Sequence, residues 1–261
     1  MIYGADHVSL QTARGGPVAG GDIGTNMLPP SVPGAEGQKY DPYEISGANK
    51  GGNEAKAKEA LKACGQPNGF KTTIAVRNNK PVEVATAQSL QASLKKVGIT
   101  AEIDQYDGSQ TAGIIGSPSN VKKKGYGIII MGWGPDFPSV QGFGLPLWSS
   151  KYIAESGNNN YALIKDKAID GLFDSYVTTL DDAGKTKIST EINHKVMEGA
   201  YYLLRLRAVH QLALGQPGER LHDRRLQRSV RLRQPRSEEP EEVNPGTPAE
   251  RHERQVKAGA A

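Results

Sequence analysis

One short stretch gathers groups that can hold a small molecule without reacting with it. In Gly132-Trp133-Gly134-Pro135-Asp136-Phe137-Pro138, a tryptophan and a carboxylate stand three residues apart, directly after the apolar run Ile128–Met131. Trp133 offers a broad apolar plate with one N–H donor. Asp136 offers a carboxylate that can accept from an ammonium group, a charge-assisted bond contributing about 1.5–3 kcal/mol. Gly132 and Gly134 allow a ligand or another backbone to come close. Pro135 and Pro138 stiffen the loop and reduce the ordering cost of binding. Phe137 and Gly134 are neighbours with weaker claims. A structural reading stands beside this one: Trp133 plugs the core, and Asp136 forms an Asx turn before Pro138. Residue types alone leave both open.

No other stretch supports chemistry. Glycines 15, 16, 20, 21 and 24 lack a preceding strand and a following Lys-Ser/Thr, so they form no phosphate loop. Asp136-Phe137-Pro138 lacks the glycine of a kinase motif. The five histidines, His7, His194, His210, His222 and His252, show no metal spacing. Cys64 stands alone, which excludes an intramolecular disulfide and a multi-cysteine zinc site. The charged, helical NEAKAKEA upstream of it is not the apolar run of a lipoprotein signal. No catalytic residue, metal or cofactor is expected, and the chain is not read as an enzyme.

Charge divides the chain. Of its 261 residues, 1–202 carry 20 basic and 20 acidic side chains, whereas 203–261 carry 11 Arg and 1 Lys against 8 acidic residues. The net +4 therefore lies entirely in the last segment, where none of the 16 aromatic residues occurs. That segment reads as a disordered basic tail, as a nucleic-acid-binding arm, or as out-of-frame translation of GC-rich codons. The mean hydropathy is -0.52 and no stretch reaches membrane-spanning length. Met1–Asp6 has neither the basic start nor the apolar run of a secretory signal.

The elements that must position the loop follow from caps and periodicity. Only 1–13 of the first fifty residues reads as helical. Pro29, Pro30, Pro33 and Pro42 make the rest an extended segment crossing other parts of a larger protein. Asn53 caps a helix through Ala63, and 71–76 is a strand with Ile74 and Val76 on one face. Pro81 opens a helix carrying Val84, Ala87, Leu90, Leu94 and Val97, which Gly98 stops. A strand over 99–106 completes a βαβ unit, so the two strands run parallel. Residues 126–131, apolar on both faces, read as the central strand of a covered sheet. A Gly-rich connection runs to about residue 160. Two helices follow, one carried by Ile169, Leu172, Phe173, Tyr176 and Leu180, the other with Asp181 and Asp182 as candidate caps and carried by Ile188, Ile192 and Val196.

In that setting GWGPDFPS resembles the G-W-x-x-D pattern of the family 5 extracellular solute-binding proteins, the oligopeptide and dipeptide receptors of ABC importers. MIYGADHVSLQTARGG is similar to the family's helix before its Gly/Pro-rich loop. NEAKAKEALKACG with the next strand is similar to its A-K-x-L-L-x-x-A-G helix and strand. NNNYALIKDKAIDGLFDSYVTTLDDAGKTKISTEINHKVMEGAYYL is similar to its closing pair of helices. The likeness covers about residues 1–203.

The resemblance implies an α/β, periplasmic-binding-protein-like lobe of type II, incomplete here. Residues 1–67 would be the end of a first lobe and its Gly/Pro-rich connection, 68–202 the second lobe with its return helices, and 203–261 an Arg-rich tail. It implies peptide or similar solute as ligand, with Asp136 on the α-ammonium and Trp133 lining the cleft. ABC importer permease subunits would be the partners. The place of work would be the periplasm or the outer face of the cell membrane, reached through an N-terminal signal and anchor that this sequence does not show. No nucleic-acid partner is expected. The alternatives are a truncated, nonfunctional fragment and a nucleic-acid binder acting through its tail. The family continues past Tyr201-Tyr202 with aromatic-rich strands, whereas an arginine-rich stretch stands here, so a frameshift near codon 203 is expected. Translating the DNA in the other two frames should yield that aromatic-rich sequence; its absence from both would refute the frameshift.

Overall fold

Side-chain caps punctuate the chain. The Asp6 carboxylate accepts from the Ser9 N–H at 3.0 Å and starts α1 (His7–Ala13). A one-turn helix α2 (Gly16–Ala19) and a short strand β1 (Asp22–Gly24) follow. Asn53 caps α3 (Glu54–Ala63), its side chain accepting from Lys56 N–H at 3.0 Å. Then come β2 (Lys71–Arg77), α4 (Pro81–Lys95) and β3 (Thr100–Tyr106). Two short helices, α5 (Thr111–Ile114) and α6 (Pro118–Lys124), lead to β4 (Tyr126–Ile129). Three helices follow, α7 (Val140–Trp148), α8 (Lys167–Thr178) and α9 (Asp182–Glu198), and then β5 (Arg205–Arg207). This computed structural model describes residues 1–134, 136–203 and 205–207. They lie in one compact unit, Met1–His210. The nucleic-acid reading rests on a tail that lies, beyond Arg207, outside the described residues.

The βαβ unit forms as its pattern dictates: β2 and β3 pair in parallel from Lys71↔Thr100 to Arg77↔Tyr106, with α4 as the crossover. Ile74, Val76, Ala87, Leu90, Leu94, Ile99 and Ala101 bury together against Leu10 of α1 and Leu61 of α3. The chain then returns to pair β4, also parallel, with the other side of β2, giving the order β3-β2-β4.

That order corrects one expectation. The central strand is β2, whose Ile74, Ala75 and Val76 are all 0% exposed. β4 is an edge strand among the described residues, ends at Ile129 rather than Met131, and leaves Ile128 to Met131 half-buried. An apolar run reports that both faces are partly covered, but it does not say how many strands flank it.

The Gly-rich connection is a second correction, because it holds α7. Ser139 caps it by accepting from Gly142 N–H at 2.9 Å. Gly142, Gly144 and Pro146 read as helix breakers. Burial of Val140, Phe143, Leu147 and Trp148 against α8 and α9 outweighs that local cost. Asp166 and Asp181 cap α8 and α9. Leu180, placed on the apolar stripe by spacing, falls beyond the end of α8 and is 92% exposed.

Residues 25–53 contain one short 3₁₀ turn, Gly37–Lys39, and no strand. Backbone turns such as Val32 N–H to the Pro29 carbonyl pair some of their polar groups, and side chains pair others. Asn193 of α9, 0% exposed, supplies an oxygen that accepts from Met27 N–H at 3.1 Å and Leu28 N–H at 3.3 Å. Its amide donates to Asn26 Oδ1 at 3.2 Å, and Asn26 in turn donates to the carbonyls of Gly37 and Tyr40. Met27, Leu28 and Val32 are thereby set into the core of α7–α9. Gly34 has a positive φ of 89°, and a Cβ there would come within 2.6 Å of the Thr186 carbonyl on α9. Replacing Asn193 by Ala removes the side-chain oxygen that accepts from the Met27 and Leu28 N–H groups. It is expected to cost about 2–3 kcal/mol, seen as a lower urea midpoint at unchanged m-value.

Candidate ligand site

Leaving β2, the chain crosses first to β3 on one side and then to β4 on the other. The gap beyond the carboxyl ends of β2 and β4 is thus a topological switch point, where open α/β sheets bind ligands. Two segments enter it: residues 78–80 from β2 and the loop 130–139 from β4. Arg77, the last residue of β2, donates through Nε to Glu83 Oε2 at 2.9 Å and through a second nitrogen to the other oxygen. Glu83 holds the Arg77 guanidinium protonated, raising it further above its ordinary range against the opposing effect of burial. This pair neutralises itself and stiffens the turn into α4. Sequence reading missed it; the visible signal was an Arg and a Glu flanking Pro81.

The loop after β4 folds back onto the first turn of α7. Trp133 Nε1 donates to the Phe143 carbonyl at 2.8 Å. Asp136 N–H points to the Gly142 carbonyl at 3.4 Å. The Phe137 ring and carbonyl pack so tightly on Gly142 that a Cβ there would lie 2.6 Å from the carbonyl oxygen and 2.9 Å from the ring. Pro135 lies outside the described residues.

The two sequence readings now meet the geometry. Trp133 is 37% exposed, whereas Trp148 is 0% exposed and fills the core. The tryptophan of the loop therefore shows a face to solvent and uses its donor as a pin. Phe137 is 51% exposed. No hydrogen bond or ion pair to the Asp136 carboxylate occurs among the described residues, so the Asx turn is not made there. Gly132 and Gly134 face open space: a Cβ on either meets nothing within 4 Å. Trp133, Gly134, Asp136 and Phe137 thus form one exposed loop with aromatic faces beside a carboxylate. The Asp136 carboxylate can accept hydrogen bonds from a donor on a ligand.

The sheet order and its covering helices make this an α/β lobe of the periplasmic-binding-protein kind. The chain belongs to the bacterial extracellular solute-binding proteins, family 5 (Middle), whose model matches residues 18–155, more than half of it. The glutathione-binding protein GsiB of Escherichia coli (strain K12) is 29% identical over 164 residues, covering 63% of this chain and 30% of that protein. Among solved structures, the clavulanic acid biosynthesis oligopeptide binding protein 2 aligns with a TM-score of 0.73 at 32% identity, over 78% of this chain and 36% of that one. The dipeptide binding protein from Pseudoalteromonas sp. SM9913 in complex with Met-Leu aligns with a TM-score of 0.63 at 20% identity, over 78% of this chain and 37% of that one, which is a likeness of fold. The chain spans about a third of the length of these proteins.

A pinned tryptophan and a solvent-facing carboxylate should respond differently to substitution. Trp133→Phe keeps the ring but loses the donor, and is expected to lower stability by about 1 kcal/mol. Asp136→Asn should change it by less than about 0.5 kcal/mol. Urea unfolding of both variants checks this; an equal cost for Asp136→Asn would mean a structural carboxylate.

Proposed function

We propose that this chain is the ligand-capturing part of the substrate-binding component of an ABC importer, taking up peptides or chemically similar solutes outside the membrane. The observation that carries the reading is the exposed Asp136 carboxylate, without a partner among the described residues, beyond the carboxyl end of β4 and flanked by the faces of Trp133 and Phe137. A carboxylate held ready in this way suits an α-ammonium group, which has three donors and a full positive charge. Trp133 and Phe137 suit the apolar part of the same solute. Glutathione and oligopeptides, named for two of the similar proteins, both carry such an ammonium group. Residues 68–202 would act as one lobe and 1–67 as the connection to another, closing on the ligand and presenting it to permease subunits. Capture and release need no covalent step.

The test is isothermal titration calorimetry on the intact protein with matched peptides, one free and one acetylated at the α-amine. Asp136→Ala should weaken the free-amine peptide by about 10–100-fold, the loss of one charge-assisted hydrogen bond. It should leave the acetylated one nearly unchanged. Equal losses for both would remove amine capture by Asp136.

A further inference from the structure

The loop that carries Asp136 docks on two backbone carbonyls of a helix, and a proline explains why one of them is open. In a regular α-helix the carbonyl of Gly142 accepts from the N–H four residues on. That residue is Pro146, inside α7. Proline has no N–H, and its ring crowds the carbonyl four residues earlier, turning it away from the helix axis. The Gly142 carbonyl therefore lacks its donor from four residues on in α7, and the Asp136 N–H points to it at 3.4 Å. The next carbonyl, Phe143, takes the Trp133 indole at 2.8 Å. Glycine at 142 completes the dock, since a Cβ there would drive into Phe137.

We infer that Pro146 is a positioning residue for the ligand site: by withholding its N–H it reserves the Gly142 carbonyl for the backbone of Asp136, and so aims the carboxylate. This rests on the reading of Asp136 as the group that accepts the ligand's ammonium. Gly142 and Pro146 within a buried helix are thereby explained, whereas Gly144 makes room for the Trp148 ring, which a Cβ there would meet at 2.3 Å. A sequence selected only for helix stability would avoid all three.

Pro146→Ala tests it, because the two roles of the residue predict opposite signs. The N–H gained at position 146 can bond to Gly142 in the ordinary way. The helix should become more stable, and the Gly142 carbonyl, no longer tilted outward by the proline ring, should turn back toward the helix axis and away from the Asp136 N–H. Hydrogen exchange by NMR on the full chain should show the Asp136 amide exchanging about fivefold faster or more, the effect of one lost hydrogen bond. Affinity for a free-amine peptide should fall by about the same factor, while the urea midpoint holds or rises. Gly142→Ala, which displaces Phe137 instead, should also speed exchange at Asp136. Unchanged exchange at Asp136 in both variants would overturn the inference, whatever happens to binding. A wild-type protein that binds no peptide, with Asp136 exchange raised in both variants, would sink the proposed function and leave the dock standing.

Discussion

Asn193 is where a segment with no helix or sheet to satisfy it is made part of the fold. A buried polar backbone must be paired, and residues 26–28 run through the interior beside α9. One side-chain amide gives them an acceptor and passes a donor on to Asn26. Met27, Leu28 and Val32 can then fill the space between α7, α8 and α9. His194, one residue on, lies 2.5 Å from Glu36 and stacks on Tyr40 with ring centroids 3.9 Å apart, which ties down the next turn of the same segment. These bonds hold Met27, Leu28 and Val32 in the core that α7 shares with α8 and α9, and the loop from β4 docks on α7.

From that base the site follows by topology. Parallel strands deliver their exits to one edge, and a change of direction at β2 opens a gap there. On one side of the gap, Arg77 and Glu83 satisfy each other. On the other, the loop bonds through its backbone and its indole, and the Asp136 carboxylate has no partner among the described residues. The same division recurs along the loop: main-chain groups and the Trp133 N–H fix the shape, while Asp136 and the ring faces remain open to solvent. In the proposed role, a loop held in this way loses little binding energy to ordering.

Much of this was legible in the residues, and what was not has identifiable causes. Asn53, Pro81, Asp181 and Gly98 punctuate helices by local chemistry, and each acts where expected. The βαβ unit was legible because two strands and an amphipathic helix fill the required length. The central place of β2 was not, because pairing partners are not written into a strand's own pattern. α7 was hidden because its glycines and proline oppose helix locally, and only packing against α8 and α9 makes it one. At the site, the types of Trp133 and Asp136 pointed to the loop. That the indole would be engaged by Phe143 depends on a helix the pattern did not reveal.

In the proposed role, Asp136 stands ready for a ligand ammonium group. The most direct measurement is a crystal structure of the intact protein with a bound free-amine peptide. A ligand α-nitrogen is expected about 2.7–2.9 Å from an Asp136 carboxylate oxygen, with Trp133 Nε1 still on the Phe143 carbonyl. A peptide bound with its amine on another group, and Asp136 facing solvent, would contradict it.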